Sequence, residues 1–169
     1  MYVRAMDQGV MDLSGLTSIS GGGSGANGGG PLEFETTGNG EILLSNLQSA
    51  VGSGAGTLFD FEQTDLSFPS LVTANNIRFD IPGSGTLRVN ALETFESSTL
   101  TLPSGTTLEA TSLTQFLNST LNLDGTARFV TAALTSIDLS RFFLTGGATY
   151  TLSPGVTSYS SSDSMAVNE

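Results

Sequence analysis

The sequence predicts an all-β chain, a single-domain parallel β-solenoid (β-helix) of about 21 residues per coil wound six to seven times. Three observations carry that expectation. First, the block Leu92–Ser112 aligns without a gap on Leu113–Ala133, setting Phe95 on Phe116, Ser98-Thr99-Leu100 on Ser119-Thr120-Leu121, and Leu102 on Leu123. The spacing continues into blocks that begin at Leu71 and Leu134, with apolar residues recurring at offsets 0, 3, 8, 10, 16 and 18. Only Thr131 breaks this pattern across the four blocks, in a chain that is 38 % hydrophobic. A fixed period of roughly 20 residues marks a repeat array whose units cannot bury their apolar side alone. Second, the apolar pairs at offsets 8/10 and 16/18 stand two residues apart, which puts both side chains on one face of a strand. Third, Pro82-Gly83-Ser84, Pro103-Ser104-Gly105, Asp124-Gly125 and Gly146-Gly147 fall between the pairs, where tight turns are needed. A helical repeat would space its apolar residues at about 3.6 and avoid so much Gly, Ser and Thr.

Each segment has a place in that scheme. Residues 1–10 form an N-terminal segment, a cap or a swapped arm, with Tyr2, Val3 and Met6 as candidate end contacts. The solenoid runs over 11–159, entered at Met11 and Leu13. Leu16-Thr17-Ser18-Ile19 opens the first full coil and repeats as Leu134-Thr135-Ser136-Ile137. A Gly-rich insert at 21–30 interrupts it before Leu32, Phe34, Ile42 and Leu44 resume the pattern. The coil from Leu47 and Ala50 carries a shorter insert at 52–56, then Phe59, Phe61, Leu66 and Phe68. Both inserts leave from the same corner of adjacent coils and are expected to lie side by side. From Leu71 onward the coils are uninterrupted. Val156 and Tyr159, the candidate end contacts at the other end, begin a last coil, and 160–169 is a polar tail. The spacing predicts core ladders of Leu71, Leu92, Leu113 and Leu134, and of Phe79, Leu100, Leu121 and Phe142. Neighbouring strands about 4.8 Å apart make this a rod roughly 30 Å long. No capping helix is visible at either end, so each end is a sheet edge beside an open core.

Composition narrows the chemistry. The chain has no Cys, His, Trp or Lys, and its five cations are Arg4, Arg78, Arg88, Arg128 and Arg141. A net charge of −11 disfavours nucleic acid as a partner, because phosphate binding needs clustered cations. No apolar run reaches the ~20 residues of a membrane span, and Met1–Gly15 lacks the layout of a signal peptide. Without His, Cys or Lys, catalysis would fall to carboxylates and Arg. Asp60, Asp65, Asp80, Glu93, Glu96, Glu109, Asp124 and Asp138 form no clear three-member cluster in the register, so no enzyme, cofactor or metal is expected.

Other motifs receive structural readings. Gly23-Ser24-Gly25-Ala26-Asn27-Gly28 fits GxGxxG, but no helix follows it, as a dinucleotide site requires. Gly23, Gly25, Asn27, Gly28, Gly54 and Gly56 instead make a candidate binding edge, with carbohydrate as the ligand class. Asn118-Ser119-Thr120 is a formal glycosylation sequon, yet Asn76, Ser97 and Asn118 share one offset and read as a polar corner. Arg88 and Glu109 are expected to face each other on adjacent coils.

The blocks LTSI…LTL…GTTLE and IDLSRFFLTGG resemble the short-coil β-solenoid repeats of large bacterial surface and secreted proteins, adhesin-like and autotransporter-like chains among them, over roughly residues 11–159. The resemblance implies an extracellular, structural or adhesive part. The expected partner is a second copy of the chain, stacked head to tail into a filament or surface rod. A carbohydrate-binding module is the second reading, and a polysaccharide-active enzyme the third.

Overall fold

The computed structural model describes residues 1–22, 30–62, 65–81 and 83–161. The chain turns through three faces per lap. The first lap carries β1 (Tyr2–Ala5), β2 (Val10–Asp12) and β3 (Ser18–Gly21), and the second β4 (Leu32–Thr36), β5 (Glu41–Leu43) and β6 (Ser49–Gly52). The third has β7 (Thr57–Phe61), β8 (Asp65–Ser67) and β9 (Thr73–Asn75), and the fourth β10 (Ile77–Asp80), β11 (Gly85–Arg88) and β12 (Thr94–Glu96). The fifth has β13 (Thr99–Leu102), β14 (Thr106–Glu109) and β15 (Gln115–Leu117). Beyond it come β16 (Thr120–Asp124), β17 (Arg128–Val130) and β18 (Arg141–Thr145).

All pairings are parallel, and they build three walls. One wall is the seven-stranded sheet β1-β4-β7-β10-β13-β16-β18, and another is the five-stranded sheet β3-β6-β9-β12-β15. The remaining wall is split into β2-β5 and β8-β11-β14-β17. This is a parallel β-solenoid of about 21 residues per turn, with no helix among the described residues.

The number of turns differs from expectation: about five, rather than six to seven. Only the first five laps place a strand on all three walls. After β17 the third wall shrinks to a single bridge between Gln115 and Ser136, and after β18 no further strand forms among the described residues. Residues of the last lap keep the apolar spacing, but among the described residues no strand pairs beyond β18.

Register turns sequence period into vertical columns. Val3, Phe34, Phe59, Phe79, Leu100, Leu121 and Phe142 stand on successive rungs of the first wall. Phe59 stacks on Phe34 and Phe79 with ring centroids 5.2 and 5.1 Å apart. The pairings Thr73–Thr94–Gln115 and the Gln115–Ser136 bridge set Leu71, Leu92, Leu113 and Leu134 one above another, all essentially inaccessible. The first three of these leucines, and Leu47 before them, each close a tight turn. Leu47, Leu71, Leu92 and Leu113 donate their N–H to the carbonyl three residues back, at 2.9–3.3 Å.

The corner before the first wall has its own chemistry. Asn76, Ser97, Asn118 and Leu139 all adopt left-handed backbone, with φ of 51°, 51°, 46° and 62°. Asn tolerates this region because its short side chain hydrogen-bonds locally, and the Asn118 amide donates to Ser97 Oγ at 3.1 Å. The sharp bend breaks the main-chain ladder just beyond it, and a column of buried serines fills the break. Ile77 N–H donates to Ser98 Oγ at 3.0 Å, Ser98 N–H to Ser119 Oγ at 3.1 Å, and Ser119 N–H to Ser140 Oγ at 3.1 Å. Each hydroxyl donates to a carbonyl in turn: Ser98 to Glu96, Ser119 to Leu117, and Ser140 to Phe116. Buried polar groups are tolerated when fully partnered, and no described buried side-chain N or O lacks a partner.

Replacing Ser119 by Ala leaves the Ser98 N–H buried without an acceptor. We expect a loss of about 1–3 kcal/mol and a fall in Tm of roughly 2–10 °C by circular dichroism. Thr101→Ala, on the outer surface, is expected to change stability by less than about 0.5 kcal/mol. Equal effects of the two substitutions would show that the serine column is not a structural element.

Candidate functional site

The sides of the rod are polar, and the ends are not. Eleven large apolar side chains are exposed among the described residues, and ten belong to the end laps. Met1, Tyr2, Met6, Val10 and Leu16 lie at one end, and Leu139, Phe143, Leu144, Leu152 and Tyr159 at the other; only Val51 lies between. The half-buried apolar residues are spread more widely. Among those that pack against the core, Val3, Met11 and Leu13 sit at the first end, Phe142, Ala148, Tyr150 and Val156 at the last, and Leu66 between them, while Leu43, Leu58, Val72, Leu117 and Val130 are half-buried along the sides.

At the first end β1 is the outermost strand of its wall, paired with β4 of the same chain. Alternation turns Val3 and Ala5 inward and Tyr2 and Arg4 outward. Tyr2 is 66 % exposed, Met6 is 50 % exposed, and the Arg4 guanidinium lies 5.4 Å from the Tyr2 ring centre. At the other end β18 is the outermost strand. Phe142 stands on Leu121, while Leu144 occupies an inward position yet is 42 % exposed, with no described residue paired above it.

The last lap partly covers the other two walls. Tyr150 stacks on Phe142 at 5.9 Å and contacts Phe129, and its hydroxyl meets Thr131 Oγ1 at 3.1 Å. Burial pushes the Tyr150 phenol above its ordinary pKa, an effect opposed by the Thr131 hydrogen bond. Val156 packs against the core, and Tyr159 donates its hydroxyl to the Ser140 carbonyl at 3.0 Å. Leu139 is 41 % exposed in the left-handed corner position, where earlier laps carry Asn76, Ser97 and Asn118. A γ-branched apolar residue gains nothing there from local hydrogen bonding.

The Gly-rich corner is described in part. Gly23, Gly25, Asn27 and Gly28 lie outside the described residues. The flanks of the two inserts do meet: Ser53 N–H donates to the Gly21 carbonyl at 2.7 Å, and Ser53 Oγ to the Gly22 carbonyl at 2.6 Å. Gly54 and Gly56 adopt positive φ, of 57° and 84°. A shallow groove of about 250 Å³ runs beside Gly56, Asn76, Arg78 and Thr99. It contains no buried charged group.

One constellation escaped the reading of the sequence. Glu35, Asp60 and Asp80 stand on consecutive rungs of the outer surface, a continuous acidic column. Arg4 closes it on Glu35, and Arg78 Nε donates to Asp80 at 2.9 Å. The signal is a dipeptide: each acid follows a phenylalanine of the core column, as Phe34-Glu35, Phe59-Asp60 and Phe79-Asp80. Inserts of unequal length hide that alignment from a fixed 21-residue ruler. No group of three or more acids, His or Cys among the described residues is arranged to hold a metal ion. Arg88 lies 3.4 Å from Glu109 and 3.7 Å from Asp65, an exposed bridge between rungs.

No protein-family model matches this chain, and neither a curated protein nor a solved structure does. The solenoid itself is what the structure shows.

Partial burial first, then the neighbouring carboxylates of Asp80 and Glu35, raise the pKa of Asp60 above the ordinary carboxylate value. In the window between the unfolded and the raised folded pKa the native state binds more protons, so stability falls as pH rises through it. Asp60→Asn is therefore expected to melt higher than the parent chain near pH 7. That advantage should vanish by about pH 3, where the parent carboxyl is protonated. A melt in which Asp60→Asn is less stable at neutral pH would refute the account.

Proposed function

We propose that this chain is a structural subunit that stacks end to end into a filament or extended rod, and that it acts at an extracellular surface. One observation carries the reading: exposed apolar side chains are concentrated at the two ends of the solenoid and are nearly missing from its sides. Soluble chains rarely leave contiguous apolar surface open unless something covers it. Among the described residues β1 and β18 are the outermost strands of the first wall, and outermost strands are the natural place for a further strand to add. The ends differ from each other, so a contact between them is heterologous, and continued along the solenoid axis it gives an open filament rather than a ring. The polar, cysteine-free composition and the resemblance to bacterial surface repeats support an extracellular setting.

Light scattering across a concentration series, with negative-stain imaging of the same samples, tests this directly. The expected result is a concentration-dependent rise in mass and linear particles about one solenoid wide. Each copy carries a formal charge of −11, so added salt should strengthen association by screening repulsion. Phe143→Glu, which places a charge on the exposed surface of β18, should weaken association without changing the far-ultraviolet spectrum. Discrete monomers at all concentrations up to about 1 mM, a value of Kd typical of non-specific contacts, would overturn the proposal.

A further inference from the structure

We propose that the second wall of the last lap holds a binding site for an acidic sugar unit, a carboxylated and hydroxylated ring, with Arg128 taking its carboxylate. The site is a gap in the stacking of laps. Gly125 N–H donates to the Thr145 carbonyl at 3.1 Å, and Ser153 Oγ donates to the Ala132 carbonyl at 3.2 Å. The last lap is thus clamped to the rung below at two points. Between the clamps no main-chain hydrogen bond joins the two laps among the described residues. An open groove of about 600 Å³ lies there, with β17 on one side and residues 149–151 on the other. That falls within the ~300–1,000 Å³ typical of small-ligand sites.

Three features of the groove point to one ligand chemistry. The first is an uncommitted charge. Arg4, Arg78 and Arg88 each hold a carboxylate, and Arg141 is engaged as well. Arg128 lines the groove, is exposed, and makes no ion pair with a described residue. Its planar guanidinium matches the two oxygens of a carboxylate. The second is an unpaired stretch of main chain. The Val130 carbonyl accepts from Ala110 N–H at 3.0 Å, so alternation along β17 turns the N–H and C=O of Phe129 away from β14 and toward the groove. β17 is the outermost strand of its sheet, and no described residue pairs with these two groups. Main-chain groups in that position take their partner from solvent or a ligand. The third is the rim, where Thr149 and Thr151 bring hydroxyls and half-buried Val130 offers apolar surface to the C–H face of a ring.

Neutral donors and acceptors outnumber the single charge, which selects a hydroxylated ligand over a bare carboxylate. The formal charge of −11 on the chain repels a long polyanion, so the fitting unit is one acidic sugar at an end or branch of a glycan. Tyr150 closes the floor, its ring 5.4 Å from that of Phe129 and its hydroxyl 3.1 Å from Thr131 Oγ1. A compact ring can enter between the two clamps, whereas an extended peptide would have to pass both. The site lies at the far end of the rod from the Gly-rich corner and does not depend on end-to-end stacking.

Methyl β-glucuronide, with methyl β-glucoside as its neutral counterpart, tests the site in the full chain by saturation-transfer NMR and by the amide signal of Phe129. The uronide should bind and shift that amide, and added salt should weaken it more than the glucoside. Arg128→Gln should lower uronide affinity roughly 10-fold, as for loss of one charge-assisted pair, with the far-ultraviolet spectrum unchanged. Arg78→Gln, which removes the same charge from another wall, should leave the affinity as it is. Thr149→Ala/Thr151→Ala should weaken both sugars alike. Equal affinity for the two sugars, or undiminished uronide binding by Arg128→Gln, would overturn the proposal. So would no binding up to about 20 mM, well past the millimolar range of a weak specific site. Equal or tighter binding of acetate, or of the acidic peptide acetyl-Asp-Ala-Thr-amide, would overturn the assignment to a sugar.

Discussion

Parallel pairing at a single register is the constraint on which the rest of this structure depends. Once each lap hydrogen-bonds to the lap below in step, every residue is fixed above its counterpart, and like side chains must share a column. Columns of Leu and Phe then become a continuous core, and columns of Thr, Asn and Arg become an outer surface. Among the described residues the same constraint makes β1 and β18 the outermost strands of the first wall, with a cross-section of core beside each. Side and end surfaces differ in polarity for this one reason.

The corner shows what that constraint costs locally. A solenoid must bend sharply three times per lap, and a bend into left-handed backbone takes N–H groups out of line with the carbonyls above. The column Ser98, Ser119 and Ser140 supplies hydroxyl oxygens where carbonyls are out of reach. A hydroxyl can both accept from one lap and donate within its own, so a single atom satisfies two main-chain groups. Thr57, also buried, occupies the equivalent place at the start of β7 and donates to the Gly21 carbonyl at 3.4 Å. Polar residues at inward positions are thus part of the core's geometry.

The architecture was legible in the sequence because a period with six apolar offsets leaves little room for another fold. The polar corner of Asn76, Ser97 and Asn118 was legible too, since the three share an offset. The inward direction of Ser98 and Ser119 was not, because hydropathy assigns serine to the surface and only the bend explains its burial. The acidic column was hidden by inserts that break the ruler between Glu35, Asp60 and Asp80. The turn count was overestimated because apolar spacing persists through Tyr150 and Leu152, where strand pairing has already stopped. Periodicity reports which side chains point inward, and only a neighbour on both sides makes a strand of them.

The split in the second wall has a mechanical consequence. Between β5 and β8 the ladder is interrupted, and a cleft of about 290 Å³ opens over Phe61, Phe68, Ile42 and Leu44. Strand pairing between the first two laps and the remainder therefore runs on two walls among the described residues, helped at the corner by Gly38 N–H to Glu62 and Glu62 N–H to Thr36. Under tension along the long axis, load crosses that plane through fewer hydrogen bonds than it does between the third, fourth and fifth laps. The molecule thus has a built-in seam, and its bending stiffness is lowest toward the open wall.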